Sequence, residues 1–377
     1  MDPLAHTLFG ASMAEAGLKR KTALATTTLI IGANIPDVDA VAMFVSADYA
    51  LLVRRGWTHG ILALLFWPFL LTAFMLWADH LLQKWRVRKG KQRSGPPMHK
   101  GWLLGVAFLG VWSHPLLDWL NTYGIRLLMP FDGTWFYGDT LFIIDPWFWL
   151  LTGAGVVLAR SESRLGLAGW IVLGTALTAL ITTAEIVPLT AKILWGVGVA
   201  LIIGMRWSGL YRRHTQKIAA VLLTGAILYT ALMYAGARLT THHARAALQA
   251  QGTEVTAVMA NPIPALVTQR TGVAASETHY YMFFINWLRP ETFTLQRDPV
   301  PIIAPDEIAQ VALQSPDVRG LLNWIRFPHY ETRRTPNGWQ VYIRDLRFVQ
   351  PDQVEDIGIG MAVIDLDENL EVIQVVP

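Results

Sequence analysis

The chain has 377 residues, of which 53% are hydrophobic and 16% are charged. Soluble globular proteins carry roughly 25% charged residues, so this composition argues against a soluble protein and indicates a membrane protein. The net charge is +3, and the absence of cysteine excludes disulfides and thiolate metal sites. Any bound metal must therefore take nitrogen and oxygen ligands, which suits zinc, manganese or magnesium.

Apolar segments follow one another through the first 237 residues and predict a polytopic α-helical membrane domain. The first segment lacks the basic region of a signal peptide, so we expect this helix to be retained. The second segment is interrupted by Asn34 and Pro36. The predicted helices lie near residues 3–18, 22–45, 59–82, 101–120, 140–159, 165–187, 190–206 and 217–237.

Basic residues predict the orientation of these helices, because cytoplasmic loops are rich in lysine and arginine. The basic stretches at 19–21, 84–100, 160–164 and 206–217 are expected on the cytoplasmic side. Their place between apolar segments also explains the positive net charge, so we do not expect nucleic-acid binding. The connections near 46–56, 121–139 and 188 then lie outside. Arg54 and Arg55 depart from this pattern, which a site for anions on the outer side would explain.

The composition changes at about residue 238, where charged residues become frequent and alternating patterns replace the apolar runs. We predict a transmembrane domain over 1–237, which carries the metal site, and a soluble α+β domain over 238–377 on the outer side. Helices are predicted at 306–314 and 316–325. The strands of an antiparallel sheet are predicted as well, for example at 265–273, 279–288, 339–348, 357–365 and 370–376.

Six potential metal ligands fall at one depth of the predicted membrane domain, near its outer face. Asp37 lies 16 residues beyond Lys21, roughly 24 Å along a helix. A carboxylate or imidazole at such a depth is costly unless it is paired, hydrated or bound to metal. The six come from four predicted helices and are His6, Asp37, Asp39, His59, His114 and Asp118.

The local sequence favours convergence of these side chains. Pro36 breaks the helix, which frees Asp37 and Asp39 to turn inward, and His114 and Asp118 share a helix face at i and i+4. Together the six residues could hold one or two divalent ions, zinc first among them. We assign catalytic roles to Asp37, His114 and Asp118, with water activated by the metal as nucleophile. Arg55 or Arg126 would orient an anionic group of the substrate.

Each of these residues also has a structural explanation. A histidine at an interface can be a hydrogen-bonded structural residue, and Asp37 or Asp39 after Pro36 can cap a helix. Asp118 can pair with Arg126. Proton or ion translocation also uses carboxylates and histidines within the membrane.

The residues that carry these candidate ligands form blocks that resemble the YdjM-type family of inner-membrane proteins. The family pattern has an N-terminal histidine, a [LI]-P-D-[IV]-D block, an H-R-G-x-T-H block and an S-H-x-x-x-D block followed by T-x-x-G. This chain has His6, Ile35-Pro36-Asp37-Val38-Asp39, Arg54-Arg55-Gly56-Trp57-Thr58-His59, Ser113-His114-Pro115-Leu116-Leu117-Asp118 and Thr122-Tyr123-Gly124. The blocks cover about the first 150 residues, including Asp145. Arg54 departs from the pattern, because the third block usually begins with histidine.

The resemblance implies a multi-pass inner-membrane protein of a family described as LexA-regulated, metal-dependent hydrolases. We therefore expect a hydrolase that acts at the outer membrane–water boundary on a phosphoester or a lipid-linked substrate. Its expected partners are membrane lipids and a small-molecule or lipid substrate. An ion- or proton-coupled transporter and a non-catalytic membrane scaffold remain as alternatives from other classes.

Overall fold

A computed structural model describes residues 1–93, 95–349 and 358–376. The chain divides into two compact units. The first contains Met1–Val38, Arg55–Ala235 and Pro264–Leu266, and the second contains Asp39–Arg54, Gly236–Ile263 and the described residues from Val267 onward. The helices in chain order are α1 (Pro3–Glu15), α2 (Ala25–Gly32), α3 (Ala47–Val53), α4 (Ile61–Arg88), α5 (Lys100–Trp119), α6 (Pro146–Arg160), α7 (Arg164–Thr183), α8 (Leu189–Ser208), α9 (Thr215–Ala250), α10 (Glu307–Ala312) and α11 (Arg319–Trp324).

Four of these helices are long and apolar enough to cross a membrane, namely α4, α7, α8 and α9. Helix α2 and the 3₁₀ helix Ile35–Phe44 meet at a bend of 43°, and together they form a fifth candidate span. The segment predicted over 22–45 is therefore interrupted near Asn34 and Pro36, as expected from the sequence. Pro36 has no backbone N–H to donate, so the α-helix ends at Gly32 and a tighter helix follows.

Two predicted helix boundaries are wrong. Helix α6 begins at Pro146 rather than near residue 140, because the Asp145 carboxylate caps it and accepts the Phe148 backbone N–H at 2.8 Å. Helix α9 continues past 237 to Ala250. Its extension buries Ala244 and Leu248, four residues apart, in an apolar cluster of the second unit.

Helices α2 and α5 approach each other at two glycines in the first unit. A Cβ atom on Gly110 would lie 3.0 Å from the carbonyl oxygen of Leu29 and 3.3 Å from Cα of Gly32. Small residues allow such backbone contact between membrane helices. The contact brings Ala33, at the end of α2, against the turn of α5 that carries His114.

The second unit contains two separate sheets rather than the single antiparallel sheet that we predicted. One has five strands in the order β1-β2-β3-β4 with β5 paired to β3, and the other has four strands in the order β6-β7-β8-β9. The first residue of the strand predicted at 357–365 lies outside the described residues. The strands are β1 (Ala257–Ile263), β2 (Leu266–Ala275), β3 (His279–Asn286), β4 (Phe293–Leu295), β5 (Val300–Pro301), β6 (Pro328–Thr335), β7 (Gly338–Asp345), β8 (Met361–Leu366) and β9 (Val372–Val376).

The segment Asp39–Arg54 joins the second unit through Asp48. The buried Asp48 carboxylate accepts the backbone N–H groups of Gly320 and Leu321, each at 2.8 Å. These donors lie in the first turn of α11, where backbone N–H groups have no partner within the helix. Asp48 therefore fixes this segment to α11 by satisfying two of them.

We expect Asp48→Ala to lower the free energy of unfolding by about 1–3 kcal/mol, because two buried N–H groups lose their acceptor. Thermal unfolding of the full-length protein in detergent measures the change. The matched control is Asp317→Ala, which removes an exposed aspartate three residues before Gly320 and should change stability by less than about 0.5 kcal/mol. Equal stability of the two variants would contradict this account of Asp48.

Candidate metal centre

Four of the six predicted ligands meet in one buried group of the first unit. One ligand atom from each of Asp37, His59, His114 and Asp118 lies within 4.8 Å of the others. Asp37 follows the break after α2, His59 lies just before α4, and His114 and Asp118 lie one turn apart on α5. We call these four residues the metal group.

The spacing of the metal group fits a tetrahedral ion. The two Nε2 atoms of His59 and His114 are 3.1 Å apart, and they lie 3.4 and 3.5 Å from Oδ2 of Asp118. Oδ1 of Asp37 lies 3.8 and 3.7 Å from the same two nitrogens. Bonds of about 2.0–2.2 Å to a tetrahedral zinc place neighbouring ligand atoms roughly 3.3–3.6 Å apart. The donor set of two imidazoles and two carboxylates therefore fits one divalent ion.

The hydrogen bond at the far side of the His114 imidazole favours the neutral form that binds metal. Nδ1 of His114 lies 2.7 Å from the carbonyl oxygen of Ala33. A carbonyl only accepts, so Nδ1 carries the proton and Nε2 presents its lone pair to the metal group. Nδ1 of His59 lies 3.0 Å from the Thr58 hydroxyl, which can donate or accept, so this contact does not decide the tautomer of His59. The Ala33 contact could not be predicted from the sequence, because it depends on how α2 packs against α5.

Asp118 is held by Arg55, which the sequence had suggested as a substrate-binding residue. Nε of Arg55 lies 3.0 Å from Oδ2 of Asp118, and Nη2 donates to Oδ1 at 3.0 Å. Nη1 donates to Asn121 Oδ1 at 2.9 Å and to the carbonyl oxygen of Gly124 at 3.2 Å. Only 3% of Arg55 is exposed. These contacts suit Arg55 to orienting Asp118. Asn121 is a further partner of Arg55, and sequence reasoning missed it.

Oδ2 of Asp118 is the oxygen that lies next to both histidines of the metal group. It forms an ion pair with Nε of Arg55 at 3.0 Å and lies 3.4 and 3.5 Å from Nε2 of His59 and His114. On the other side, Oδ1 of Asp118 contacts the Met1 nitrogen and lies 3.2 Å from Nε2 of His6.

His6 lies beside the metal group without being one of its four members. Its ring stacks on that of His114, with ring centroids 3.9 Å apart and an interplanar angle of 18°. Both rings are fully buried. His6 therefore packs against a ligand-type imidazole and contacts Asp118, which fits a supporting role.

Asp39 and Arg126 are not brought into the metal group. Successive residues of a 3₁₀ helix are turned by about 120°, so Asp39 cannot point in the same direction as Asp37. The buried Asp39 carboxylate lies 3.8 Å from Nε of Arg54, within the second unit. Arg126 is buried with its guanidinium 4.9 Å from the Trp135 ring centroid. The arginine that pairs with Asp118 is Arg55, not Arg126 as the structural alternative proposed.

The apolar helices and this His/Asp group define the class: a multi-pass helical membrane protein with a group of side chains that could hold a metal ion. Residues 1–187 match the family model described as YdjM inner membrane protein, and this part of the chain belongs to that family. The match confirms the predicted resemblance, and the protein is a multi-pass inner-membrane protein. Searches of curated proteins and of solved structures found no significant match.

Proposed function

We propose that the protein is a zinc-dependent hydrolase of the inner membrane, with the metal group as its active site. The observation that carries this proposal is the near-tetrahedral spacing of two imidazole nitrogens and two carboxylate oxygens, 3.1–3.8 Å apart along five of the six pairs. Manganese and magnesium are the other candidate ions, but both prefer more oxygen ligands than this group offers.

The exposed fraction of each side chain distinguishes the roles of the residues in the metal group. A divalent ion at this site would supply Lewis acidity, which makes water a better nucleophile at neutral pH and stabilises negative charge on the substrate. His59, His114 and Asp118 are at most 1% exposed, whereas the Asp37 side chain is 17% exposed. A catalytic zinc ion needs a coordination position for water beside its protein ligands. The Asp37 oxygen lies farthest from the two imidazole nitrogens, so Asp37 would be the weakest ligand. We therefore assign to Asp37 the side from which substrate and water approach, with its second carboxylate oxygen as the acceptor of a proton from water.

The surroundings favour a phosphoester or another lipid-linked anion as the substrate. Trp57 and Phe131 are 66% and 76% exposed, and exposed aromatic side chains are frequent at the membrane–water interface. We propose that the site opens at headgroup depth on the outer side. Arg126 would then orient the anionic group, because the guanidinium of Arg55 already binds Asp118.

Turnover of membrane substrates by purified protein tests this proposal. We expect protein in lipid nanodiscs to release phosphate or a headgroup from phospholipids or lipid-linked phosphates, and a chelator to stop the release. Asp37→Asn should reduce the rate at least about 100-fold, because it weakens metal binding and also removes the proton acceptor. Asp132→Asn, the same change at an exposed aspartate of the first unit outside the metal group, is the control. Metal binding without turnover on any substrate would favour the scaffold or transporter alternatives.

The orientation of the protein is a separate prediction. Because the chain has no cysteine, single cysteines report accessibility without background. A cysteine at Gly90 should react with a membrane-impermeant thiol reagent only after cells are opened, since its basic surroundings predict the cytoplasmic side. A cysteine at Asn337, in the turn between β6 and β7, should react in intact spheroplasts. The reverse labelling pattern would place the metal group on the cytoplasmic side.

A further inference from the structure

A second polar site lies in the first unit, away from the residues of the metal group. A cavity of about 400 Å³ is bounded by the start of α2, the C-terminal part of α4 and the residues before α5. Its size falls in the range of small-molecule pockets, roughly 300–1,000 Å³. None of its lining residues belongs to the metal group.

The lining of this cavity carries an excess of positive charge. Lys19, Arg86, Arg93 and Arg160 line it, and Asp79 is its carboxylate. Glu15 lies behind the lining and pairs with Lys19 and Arg160. Four cations against two carboxylates leave two positive charges in excess. Such a cavity attracts an anion.

The ion pairs in the cavity hold two of the arginines in fixed positions. Arg93 donates to both oxygens of Asp79 at 2.9 and 3.0 Å, and Gln83 donates to the same carboxylate at 3.2 Å. Nε of Arg160 donates to Glu15 at 2.7 Å, while its Nη2 donates to Thr26 at 3.3 Å. Preorganised guanidinium groups suit recognition of phosphate oxygens, since little side-chain freedom is lost on binding.

Backbone donors complete the lining. The cavity includes Ala25, Thr26 and Thr27, which form the first turn of α2. No side chain caps this end of the helix, whose preceding residue Leu24 has a φ of 59°. The N–H groups of a first helical turn add hydrogen-bond donors and the positive end of the helix dipole to the charged side chains.

We propose that this cavity binds a phosphate group, carried either by an anionic phospholipid headgroup or by a soluble phosphate ester. The site is independent of the proposed hydrolase activity. Its basic residues belong to the stretches expected on the cytoplasmic side, where anionic headgroups attract lysine and arginine. Arg86, on the last turns of α4, adds to the excess charge. In the described part of the chain, the cations paired with Asp79 and Glu15 are Arg93, Lys19 and Arg160.

Two binding measurements on the purified full-length protein test the site and separate the two sources of phosphate. Calorimetry in a neutral detergent measures binding of inorganic phosphate and of glycerol 3-phosphate. Native mass spectrometry compares the number of phosphatidylglycerol molecules that stay bound to the protein with the number of phosphatidylcholine molecules. Arg86→Glu should weaken binding at least about tenfold in whichever measurement detects it, because it replaces a direct charge partner of the phosphate by a repelling one.

The matched control is Arg88→Glu, which reverses an exposed charge on the same helix outside the cavity. It should change affinity less than about threefold, since screening weakens distant charges. Arg86→Gln should give an intermediate loss and guards against misfolding of the charge-reversed variant. Binding in the calorimeter alone would assign the site to soluble phosphates, and retention of phosphatidylglycerol alone would assign it to lipid. Equal binding by wild type and both Arg86 variants, or no binding in either measurement, would overturn the proposal.

Discussion

Asp118→Asn should lower the free energy of unfolding by about 3–5 kcal/mol, because it leaves the buried Arg55 guanidinium without a charge partner. Arg55 is 3% exposed and contacts both oxygens of Asp118. An asparagine retains one acceptor oxygen, but it cannot balance the charge. Thermal unfolding in detergent, with and without added zinc, measures both the loss and the response to metal.

A double variant separates the ion pair from the metal. Arg55→Gln with Asp118→Asn removes both charges, so it should recover part of the lost stability while its unfolding temperature stays insensitive to zinc. Asp37→Asn is the matched control within the metal group. It is partly exposed and should lose the zinc response with a change in stability of less than about 1 kcal/mol. Normal stability and a full zinc response in Asp118→Asn would contradict both roles of this carboxylate.

Gly110→Leu should disrupt the metal group, although Gly110 is not one of its ligands. Its side chain would begin 3.0 Å from the carbonyl oxygen of Leu29 and 3.3 Å from Cα of Gly32, so α2 and α5 must separate. Overpacking of this kind costs about 1–3 kcal/mol or more, because backbone atoms cannot turn away as a side chain can. The separation also breaks the contact between Nδ1 of His114 and Ala33, so zinc affinity should fall at least about tenfold.

Gly105→Leu provides the control on the same helix. A Cβ atom at Gly105 would meet no other atom within 4 Å, and the residue is exposed. This variant should insert, unfold and bind zinc as the wild type does. Zinc titration of the two variants gives the comparison, and equal affinities would show that the approach of α2 to α5 does not position the ligands.

The sequence predicts the metal group well where local geometry decides it. His114 and Asp118 lie one helical turn apart, so their shared helix face can be read from their spacing. Pro36 interrupts the helix beside Asp37, so the change of direction there can be read from the proline. Asp39 could not be placed in this way. A proline that ends an α-helix leaves open whether the following residues continue as a loop or as a 3₁₀ helix, and these point Asp39 in different directions.

Features that depend on contacts between distant segments could not be predicted. Arg55 and Asp118 are 63 residues apart, and spacing alone does not tell a substrate-binding arginine from one that pairs with a ligand. The same holds for the division of the strands into two sheets, since alternation indicates a strand without naming its neighbour. Strand β6 was missed because its residues are polar and half-buried, which weakens the alternation that marks a strand.

The metal content of the purified protein tests the central claim most directly. We predict about one zinc ion per chain after purification without chelator or after reconstitution with zinc, measured by inductively coupled plasma mass spectrometry. Asp37→Ala with His59→Ala should hold no metal above background. The matched control, Asp317→Ala with His80→Ala, removes an exposed aspartate and an exposed histidine outside the metal group and should keep its zinc. Wild-type protein without bound zinc, or equal content in the Asp37 and His59 double variant, would contradict the assignment of this site.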